Sequence, residues 1–481
     1  MWIKENKIKI ARAVRAAVFL VILVVLVTFV SGVLEKKSSK QKLLPFFQEG
    51  ENYDVLFLGI SHMQVGVFPM ELWDDYGIAS FNFGESGTRL PWSYWVLKNA
   101  LDYTNPSLVV VDTRRLEIES IDYYQFVRTN FDEFPLSKNK IAAAIDLFET
   151  WDERLNFLFP ILQYHNRWSE LTAADFGPVD CRTNKGARHY DGNNLHVAVP
   201  SAYKTISEDK KDAPGAVGDK YLRQIIELCQ SRGIKVLLTE LPYPANTKSQ
   251  RLANGVQDIA DEYGIDYINF LHMEDIVNFN TDMNDSGHMN DSGARKVTDY
   301  LGRFITENYE IQDHRNDEEY ASWYGDYETY KAYKYERLRT QSKMDNILML
   351  SSDQKLNYCI RVDGSSGILN DERMLQLIEN MSQQTELSLL RTLPGTGLDY
   401  YLVVNNSEGK VWESTEGFAN LEAGFAEITC GKNEGIPYMT VAGNVDNLFV
   451  PADEEGKVAK LNVVSFDGTT GELVSATAHV K

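Results

Sequence analysis

The residues best suited to chemistry in this sequence are a serine that follows an apolar run and an aspartate–histidine pair far along the chain. The run Val55–Leu58 ends at Gly59, which puts the hydroxyl of Ser61 on the turn directly after it. Asp285 and His288 are three positions apart, so one turn can point the carboxylate at the imidazole. A serine nucleophile needs a base for its proton, and that base needs a group that fixes its tautomer. Asp285 and His288 could supply both, whereas the alternative for Ser61 alone is an ordinary helix N-cap.

Alternating strands and helices would bring these residues together. Short apolar runs interleaved with amphipathic helical stretches indicate a parallel sheet that is covered on both faces. The runs lie at residues 55–58, 79–83, 108–111, 234–238 and 265–270. We therefore predict a doubly wound α/β domain over residues 46–310, in which ligands bind beyond the carboxyl ends of the strands. Glu240, which follows the fourth run, is expected at the same edge of the sheet.

Three regions depart from this alternation. Residues 117–215 are aromatic-rich and mostly helical, and they are too long for a plain loop, so we predict a helical insertion there. Residues 311–345 carry aromatic side chains at helical spacing and predict a helical linker. Short strands with turn signals over residues 346–481 predict a separate, smaller α+β domain.

The first 45 residues differ in charge from the rest of the chain. They hold nine basic and two acidic residues, so that the net charge of −21 combines a local +7 with −28 in the body. Nineteen uncharged residues between Arg15 and Glu35 would cross the hydrocarbon core as one helix, at about residues 16–34. We expect an uncleaved, single-pass membrane anchor with a cytoplasmic N-terminus and an extracytoplasmic body. A cleaved signal peptide and a buried core helix are the alternatives.

Charge, acidic loops and cysteines bear on the possible partners and cofactors. The acidic body lacks the concentrated basic face that nucleic-acid binding needs, so no nucleic acid is expected as a partner.

Asp282 and Asn284 resemble the first residues of a calcium-binding loop, but Gly293 occupies its twelfth position, where Glu is required. We expect neither a metal nor a cofactor. The four cysteines are too sparse for a disulfide framework, and whether Cys359 and Cys430 pair is left open.

Three motifs in this order resemble the SGNH/GDSL hydrolase superfamily, whose domains have a flavodoxin-like fold. They are Gly59-Ile60-Ser61-His62 after the first strand, Asn82-Phe83-Gly84 after the second, and Asp285-x-x-His288 before the last helix. The phrases LGISHMQVGVFPMELWDDYGIASFNFGESG and GHMNDSGARKVTDYLG are similar to the membrane-anchored branch of that superfamily, which includes the alginate O-acetylation and teichoic-acid D-alanylation proteins.

The resemblance implies a role for each residue of the motifs. Ser61 would be the nucleophile, His288 the general base and acid, and Asp285 the residue that orients His288. The oxyanion hole would use the backbone N–H groups of Ser61 and Gly84.

The third block of the superfamily, Gly-x-Asn-Asp, is missing, because the third strand runs into Asp112-Thr113-Arg114-Arg115. Arg114 falls about where the missing Asn would donate, so it is either an oxyanion donor or a salt-bridged structural residue. The candidates for substrate binding are His62, Asn82 and Glu240. His62 would line an acyl pocket or contact a sugar, or else pack against its own loop.

These resemblances imply an exported, anchored, serine-dependent O-acyltransferase or esterase that acts on acyl groups of a cell-envelope polysaccharide. A membrane-bound O-acyltransferase would then be the partner that supplies the acyl groups. The C-terminal part resembles the interleukin-like EMT inducer domain, in NYCIRVDGSSGILNDERMLQLIENM and NVVSFDGTTGELVSATAHV, and this implies a glycan or protein contact. The rival interpretation is a non-catalytic envelope protein that keeps the fold in order to bind a glycan or a membrane partner.

Overall fold

The computed structural model describes residues 2–480, with side chains from residue 10 onward. Its gaps are residues 51, 124, 180, 182–183, 189–193, 199–202, 274, 383–386, 443–445 and 453–455. The predicted insertion at 117–215 therefore lies partly outside the described residues.

Two helices precede the first strand, α1 (Trp2–Leu34) and α2 (Lys37–Glu49). Within α1, the segment Ile10–Leu34 contains an 18-residue window with a mean hydropathy of 3.0, and its length and composition would allow it to cross a membrane. Its side chains are exposed from residue 10 to residue 30. Such a helix is compatible with a signal-anchor and equally with a signal sequence. In contrast, α2 packs on the body of the protein, where Leu43 and Phe46 are fully buried.

A five-stranded parallel sheet forms the centre of the following domain. Its strands have the order β2-β1-β3-β4-β5, which is the flavodoxin-like order. The elements up to the last helix of this domain are β1 (Val55–Leu58), α3 (Ser61–Gly66), α4 (Pro69–Tyr76), β2 (Ser80–Asn82), α5 (Leu90–Ala100), β3 (Leu108–Asp112), α6 (Lys138–Leu147), α7 (Trp151–Leu158), α8 (Pro160–Tyr164), α9 (Ala216–Ser231), β4 (Lys235–Glu240), α10 (Thr247–Tyr263), β5 (Asp266–Asn269) and α11 (Asp291–Asn308).

Helices cover both faces of this sheet. The residues of β1, β2 and β3 are all buried, as expected when apolar runs do not alternate with polar residues. One core contains α5 and α9 together with Val256, Ile259 and Ala260 of α10, and a second core on the opposite face contains α11. Helix α4 contributes side chains to both cores. The predicted doubly wound α/β fold is thus confirmed, and the five predicted strands lie within one or two residues of the observed ones.

The region between β3 and α9 is mainly helical where it is described. Besides α6, α7 and α8 it contains three short 3₁₀ helices, Gln125–Asn130, His165–Ser169 and Ala173–Phe176. Phe131, Phe148 and Phe157 pack around Trp92 of α5. This region is therefore fixed to the sheet domain by aromatic packing.

The C-terminal part begins with two helices and continues mainly as strands. Its elements are α12 (Ala321–Arg339), α13 (Met344–Ser351), β6 (Leu356–Val362), α14 (Glu372–Glu379), β7 (Tyr400–Asn405), β8 (Lys410–Ser414), β9 (Phe418–Glu422), β10 (Glu427–Asn433), β11 (Ile436–Val441), β12 (Leu461–Asp467) and β13 (Leu473–His479). The strands form two antiparallel sheets, with the orders β13-β12-β6-β7-β8 and β11-β10-β9. Cys359 and Cys430 are buried free thiols, one in each sheet.

A cluster of buried charges joins the parallel-sheet domain to the C-terminal part. Glu71 of α4 lies 3.0 Å from Nζ of Lys334 on α12 and 2.6 Å from Nζ of Lys355. Lys334 also pairs with Asp353. We call these four residues the interdomain ion cluster. Burial by itself would raise the pKa of Glu71, but the two lysines hold that pKa well below its ordinary value.

Candidate active site

Ser61 lies at the carboxyl end of β1, where it is the first residue of α3. The chain turns sharply between strand and helix at Gly59. A Cβ atom at Gly59 would lie 2.7 Å from Cβ of Asp112 and 2.9 Å from Cβ of Met63, so a larger residue would push the strand and helix apart. Ser61 thus sits at the edge of the sheet where doubly wound domains bind their ligands.

His288 and Asp285 reach Ser61 from the loop before α11. Nε2 of His288 lies 2.8 Å from Oγ of Ser61, although 227 positions separate the two residues in the chain. On the other side of the imidazole ring, Nδ1 lies 3.0 and 2.9 Å from the two carboxylate oxygens of Asp285. The residues predicted as nucleophile, base and orienting acid are therefore hydrogen-bonded to one another in the order that serine-dependent catalysis requires.

The loop that carries the pair is built around the Asp285 carboxylate. Oδ1 of Asp285 accepts hydrogen bonds from the backbone N–H groups of Gly287, at 2.7 Å, and His288, at 2.8 Å. The backbone N–H of Asn284 donates to the carbonyl of His288, which closes the turn. Asn290 ends the loop as the N-cap of α11, where its side chain accepts a hydrogen bond from the Gly293 N–H.

The electrostatics favour an ionised Asp285. Its partial burial would raise the pKa, but the hydrogen bonds from the His288 side chain and the Gly287 backbone outweigh that effect and lower the pKa to about 2. The side chains of Asp285 and His288 remain 49% and 32% exposed. A carboxylate is thus held against an imidazole that solvent and substrate can both reach.

His62 lies next to this triad but takes no part in its hydrogen bonds. Its ring centroid is 5.0 Å from that of His288 and 5.3 Å from that of Tyr243, and the residue is buried. Burial, followed by the nearby Arg114 and His288, keeps the pKa of His62 well below its ordinary value. His62 is therefore neutral and packs beneath the triad. This burial favours the alternative in which His62 packs within the protein and disfavours contact with a sugar.

The predicted oxyanion donors have a different arrangement from the one expected. The backbone N–H of Gly84 donates to Oδ1 of Asn82, at 2.8 Å, and is therefore engaged within the protein. Gly84 also packs tightly on α3, because a Cβ there would lie 2.4 Å from the backbone nitrogen of Gln64. The N–H of Ser61 is in the first turn of α3, where helices leave their amide donors without intrahelical partners.

Asn82 is fully buried, which corrects the prediction that it binds substrate. Its side-chain nitrogen donates to the carbonyls of Met63, at 2.7 Å, and Val67, at 2.9 Å. With Oδ1 bound to Gly84, the whole carboxamide connects the end of β2 to α3. Asn82 is thus a structural residue that holds the helix bearing Ser61.

Arg114 and Glu240 lie together below the site, at the ends of β3 and β4. The guanidinium carbon of Arg114 is 3.3 Å from the ring centroid of Tyr243, and Nη1 is buried with no hydrogen-bond acceptor among the described residues. Glu240 is buried and accepts a hydrogen bond from Oγ1 of Thr113, at 3.0 Å. Arg114 thus stacks on Tyr243 without a salt bridge among the described residues, and the buried Glu240 lines only a small cavity of about 30 Å³ beside it.

Burial also changes the protonation of the two acids near Arg114. It raises the pKa of Glu240 to about 8, with a further contribution from the neighbouring Asp112 carboxylate and a partial offset by Arg114. Burial likewise raises the pKa of Asp112, to about 6, and Arg114 again opposes the change. The Arg114 guanidinium thus lies near the carboxyl groups of Asp112 and Glu240. At neutral pH at least the carboxyl group of Glu240 is protonated.

Helix α14 of the C-terminal part supports the loop that leads to Asp285. Nε of Arg373 donates to the carbonyl of Asn280, at 3.2 Å, and Nδ2 of Asn380 donates to Oγ1 of Thr281, at 3.1 Å. The amide of Gln376 accepts from the side chain of Asn280 at 3.3 Å. The sequence contains no local signal for this support, because the two segments are about a hundred positions apart. In contrast, Tyr243 carries a local signal, since it is an aromatic residue three positions after the end of β4.

A cavity of about 360 Å³ lies on the side of α3 that faces α2. Its lining includes Gln64, Lys42 and Glu85, together with residues of the region between β3 and α9. Gln64 is one helical turn beyond Ser61, and its buried side-chain nitrogen has no acceptor among the described residues. A cavity with both polar and apolar lining thus lies one helical turn from Ser61.

Comparisons with known proteins add little to this geometry. No family model and no curated protein matches the chain. A solved structure described as a candidate acylhydrolase from Bacteroides fragilis has 13% identity and a TM-score of 0.29 over 57% of this chain and 98% of its own. A GDSL-like lipase from Bacteroides thetaiotaomicron has 13% identity and a TM-score of 0.26, over 56% and 99%. An acetyl xylan esterase from the rumen bacterium Butyrivibrio proteoclasticus has 8% identity and a TM-score of 0.23, over 53% and 64%. At such low scores, a conclusion about function has to come from this chain's own residues.

Proposed function

We propose that this chain is a serine-dependent enzyme that cleaves acyl esters through an acyl-enzyme on Ser61. The observation that carries the proposal is the continuous chain of hydrogen bonds from Ser61 through His288 to Asp285. Such a chain lets the imidazole accept a proton from a hydroxyl that is otherwise a weak nucleophile.

The chemistry follows from these contacts. Oγ of Ser61 attacks the ester carbonyl while its proton passes to Nε2 of His288, and Asp285 stabilises the imidazolium that forms. The imidazolium then protonates the departing alcohol, which leaves an acyl group on Ser61. A second hydroxyl, from water or from a sugar, gives its proton to His288 and attacks the acyl carbonyl. The bond between the acyl group and Oγ of Ser61 then breaks, and the imidazolium returns the proton to Oγ, which restores the free serine. Water gives hydrolysis, and a sugar hydroxyl gives acyl transfer.

We infer that the substrate is an acyl ester, most simply an acetyl ester, on a cell-envelope polysaccharide. The apolar helix α1 supports a location at a membrane, with the body on the extracytoplasmic side. The cavity next to Gln64 supports a polar acceptor, because it offers amide and charged groups to hydroxyls one turn from Ser61. In this proposal a membrane-bound O-acyltransferase supplies the acyl groups.

A fluorophosphonate probe tests the enzymatic proposal directly. The purified chain is expected to be labelled and to hydrolyse p-nitrophenyl acetate, and Ser61→Ala should abolish the labelling and lower the hydrolysis at least about 10³-fold. Ser86→Ala is a matched control, because this serine lies near the same edge of the sheet without a contact to His288. If the folded chain is not labelled at Ser61, the enzymatic proposal is wrong.

Mass spectrometry of added oligosaccharides separates the two enzymatic outcomes. Acetylated oligosaccharide indicates transfer, and free acetate without a modified acceptor indicates hydrolysis. Co-purification from native membranes with a polytopic acyltransferase is expected if the chain performs transfer.

A second candidate is a non-catalytic protein that uses the same edge of the sheet to bind a glycan. It is favoured by the oxyanion donors, because the Gly84 N–H is bound to Asn82 and the Arg114 guanidinium is stacked on Tyr243. Glycan binding that survives Ser61→Ala, together with the absence of labelling in the unsubstituted chain, would establish this alternative.

A further inference from the structure

The region between β3 and α9 has an unusual surface. Trp151 is 70% exposed, Trp168 is 73% exposed and Phe176 is 65% exposed. Within the described body, no tryptophan outside this region is among the exposed large hydrophobic side chains. Together with three further exposed apolar side chains these residues form what we call the insertion apolar face: Trp151, Leu155, Phe159, Leu162, Trp168 and Phe176.

The spacing of these residues makes a continuous stripe rather than scattered exposure. Trp151 and Leu155 are four positions apart, so they lie on the same side of α7. Phe159 and Leu162 continue the pattern into α8, which packs against α7. On the opposite side of α7, Phe157 is buried in the core. The stripe is thus the solvent side of an otherwise well packed pair of helices.

The elements that carry this face contact the end of α1. Helix α8 and both 3₁₀ helices that follow it, His165–Ser169 and Ala173–Phe176, lie against α1. Nη1 of Arg167 donates to the carbonyl of Leu34, the last residue of α1, at 2.5 Å. Nζ of Lys37 and Nζ of Lys40 donate to the carbonyl of Gly32. The apolar helix and the insertion are therefore joined at the point where the uncharged run ends.

The burial of the α1 side chains shows how far along the helix this contact extends. Its side chains are exposed up to residue 30 and become partly or fully covered over Ser31–Leu34. Four helical residues correspond to about 6 Å along the axis. The headgroup region on each side of the hydrocarbon core is roughly 5–8 Å thick. The insertion thus covers α1 over a length that matches the thickness of the interfacial region.

We propose that the insertion apolar face lies in the lipid headgroup region, as a second, monotopic contact of this protein with the bilayer. The proposal rests on the proposed role of α1 as a membrane anchor. Tryptophan suits this location, because its ring is apolar and its N–H can still meet water or a headgroup. With α1 alone the body would pivot on a single helix. A second contact would fix the orientation of the body relative to the bilayer. It would also keep Ser61 at a constant distance from the membrane surface, because α2 connects α1 to this edge of the sheet through the hydrogen bond from Lys42 to the carbonyl of Gly84.

Quenching by brominated lipids tests this contact on the full-length chain in nanodiscs. One set of discs contains phosphatidylcholine brominated near the carbonyl end of the acyl chains, and the other contains lipid brominated near the terminal methyl group. The unsubstituted chain should lose emission mainly with the shallow bromines. The double variant Trp151→Gln, Trp168→Gln should lose most of that shallow component, and the part that remains comes from tryptophans that both proteins contain, including Trp2 at the start of α1.

Trp412→Phe is the matched control, since this tryptophan is only partly exposed on the C-terminal strand β8, and its removal should leave the shallow quenching unchanged. The proposal is overturned if the double variant is quenched as strongly as the unsubstituted chain. It is also overturned if Trp151 and Trp168 escape quenching in lipid discs and become protected from solvent only in native membranes, because a protein would then cover the face. Thermal unfolding and labelling at Ser61 establish separately that each variant is folded and whether the enzymatic proposal holds.

Discussion

Two networks of charged side chains in this protein have opposite designs. In the candidate active site, Asp285 and His288 are partly exposed, and their hydrogen bonds end at the hydroxyl of Ser61. In the interdomain ion cluster, Glu71 and Lys334 are buried, and each has an opposite charge within 3.0 Å. The first network ends at a group that can still react, whereas in the second each of the four charges lies beside an opposite charge.

This contrast shows how a candidate active site can be distinguished from a structural cluster of charges. A perturbed pKa occurs in both networks, so a pKa by itself does not separate them. The two networks differ in the group at which their series of contacts ends. In the interdomain ion cluster each charge is paired with another and the pairs join two parts of the chain, while the candidate active site presents one polar group to solvent. Substitutions should therefore affect activity in the first network and stability in the second.

The largest expected effect is that of Asp285→Asn on catalysis. Without the carboxylate the imidazole loses the group that fixes its tautomer, so kcat/KM for p-nitrophenyl acetate should fall about 10³–10⁴-fold. The midpoint of urea unfolding should change little, because the Asp285 side chain is 49% exposed. Asp219→Asn, which breaks a surface pair with Arg223, is the control and should leave both quantities unchanged. Retained activity in Asp285→Asn would remove the distinction between the networks.

Lys334→Met should have the reverse effect. It leaves the buried Glu71 and Asp353 without one of their cations, which should lower the free energy of unfolding by about 3–5 kcal/mol. Urea unfolding followed by circular dichroism measures this change. Lys410→Met removes an exposed pair with Glu408 and should cost less than about 1 kcal/mol. Similar losses in the two variants would show that the cluster does not join the two parts of the chain.

Glu240→Gln tests how a buried carboxyl group makes the stability of the fold depend on pH. The pKa of Glu240 is about 8 in the folded chain against 4.5 for an ordinary glutamate, so the folded state holds this proton more tightly. The corresponding stability is complete below pH 4.5 and is lost as the pH rises towards 8. Glu240→Gln should therefore be more stable than the unsubstituted chain at pH 8, and its unfolding should depend less on pH. Parallel pH profiles for both proteins would contradict the assignment.

The smallest expected effect concerns the support of the Asp285 loop by α14. Removing the Arg373 and Gln376 side chains together should lower kcat roughly tenfold with KM unchanged, because a small displacement of the catalytic pair is costly. Arg391→Ala is the control, since its contacts with Glu372 and Glu379 lie within the C-terminal part. Equal kcat values for the Arg373/Gln376 double variant and this control would mean that α14 has no positioning role.

The strands of the sheet domain could be predicted because each is a continuous apolar run next to a turn residue. Val55–Leu58 is an example in which the prediction and the structure coincide. The triad could also be predicted, because Ser61 follows a strand and Asp285 lies three positions from His288. The role of Asn82 was misjudged, since nothing in its neighbourhood indicates that the side chain would turn inward to Met63 and Val67.

The sequence by itself determined the order of strands and helices, the apolar helix and the chemical types available for catalysis, because these depend on local periodicity and residue identity. Only the tertiary structure decided which polar groups are free to act. It brings His288 within 2.8 Å of Ser61, binds the Gly84 N–H to Asn82 and stacks Arg114 on Tyr243. The physical reason is that hydrogen-bond competition depends on distances between segments far apart in the chain, and spacing along a sequence does not specify them.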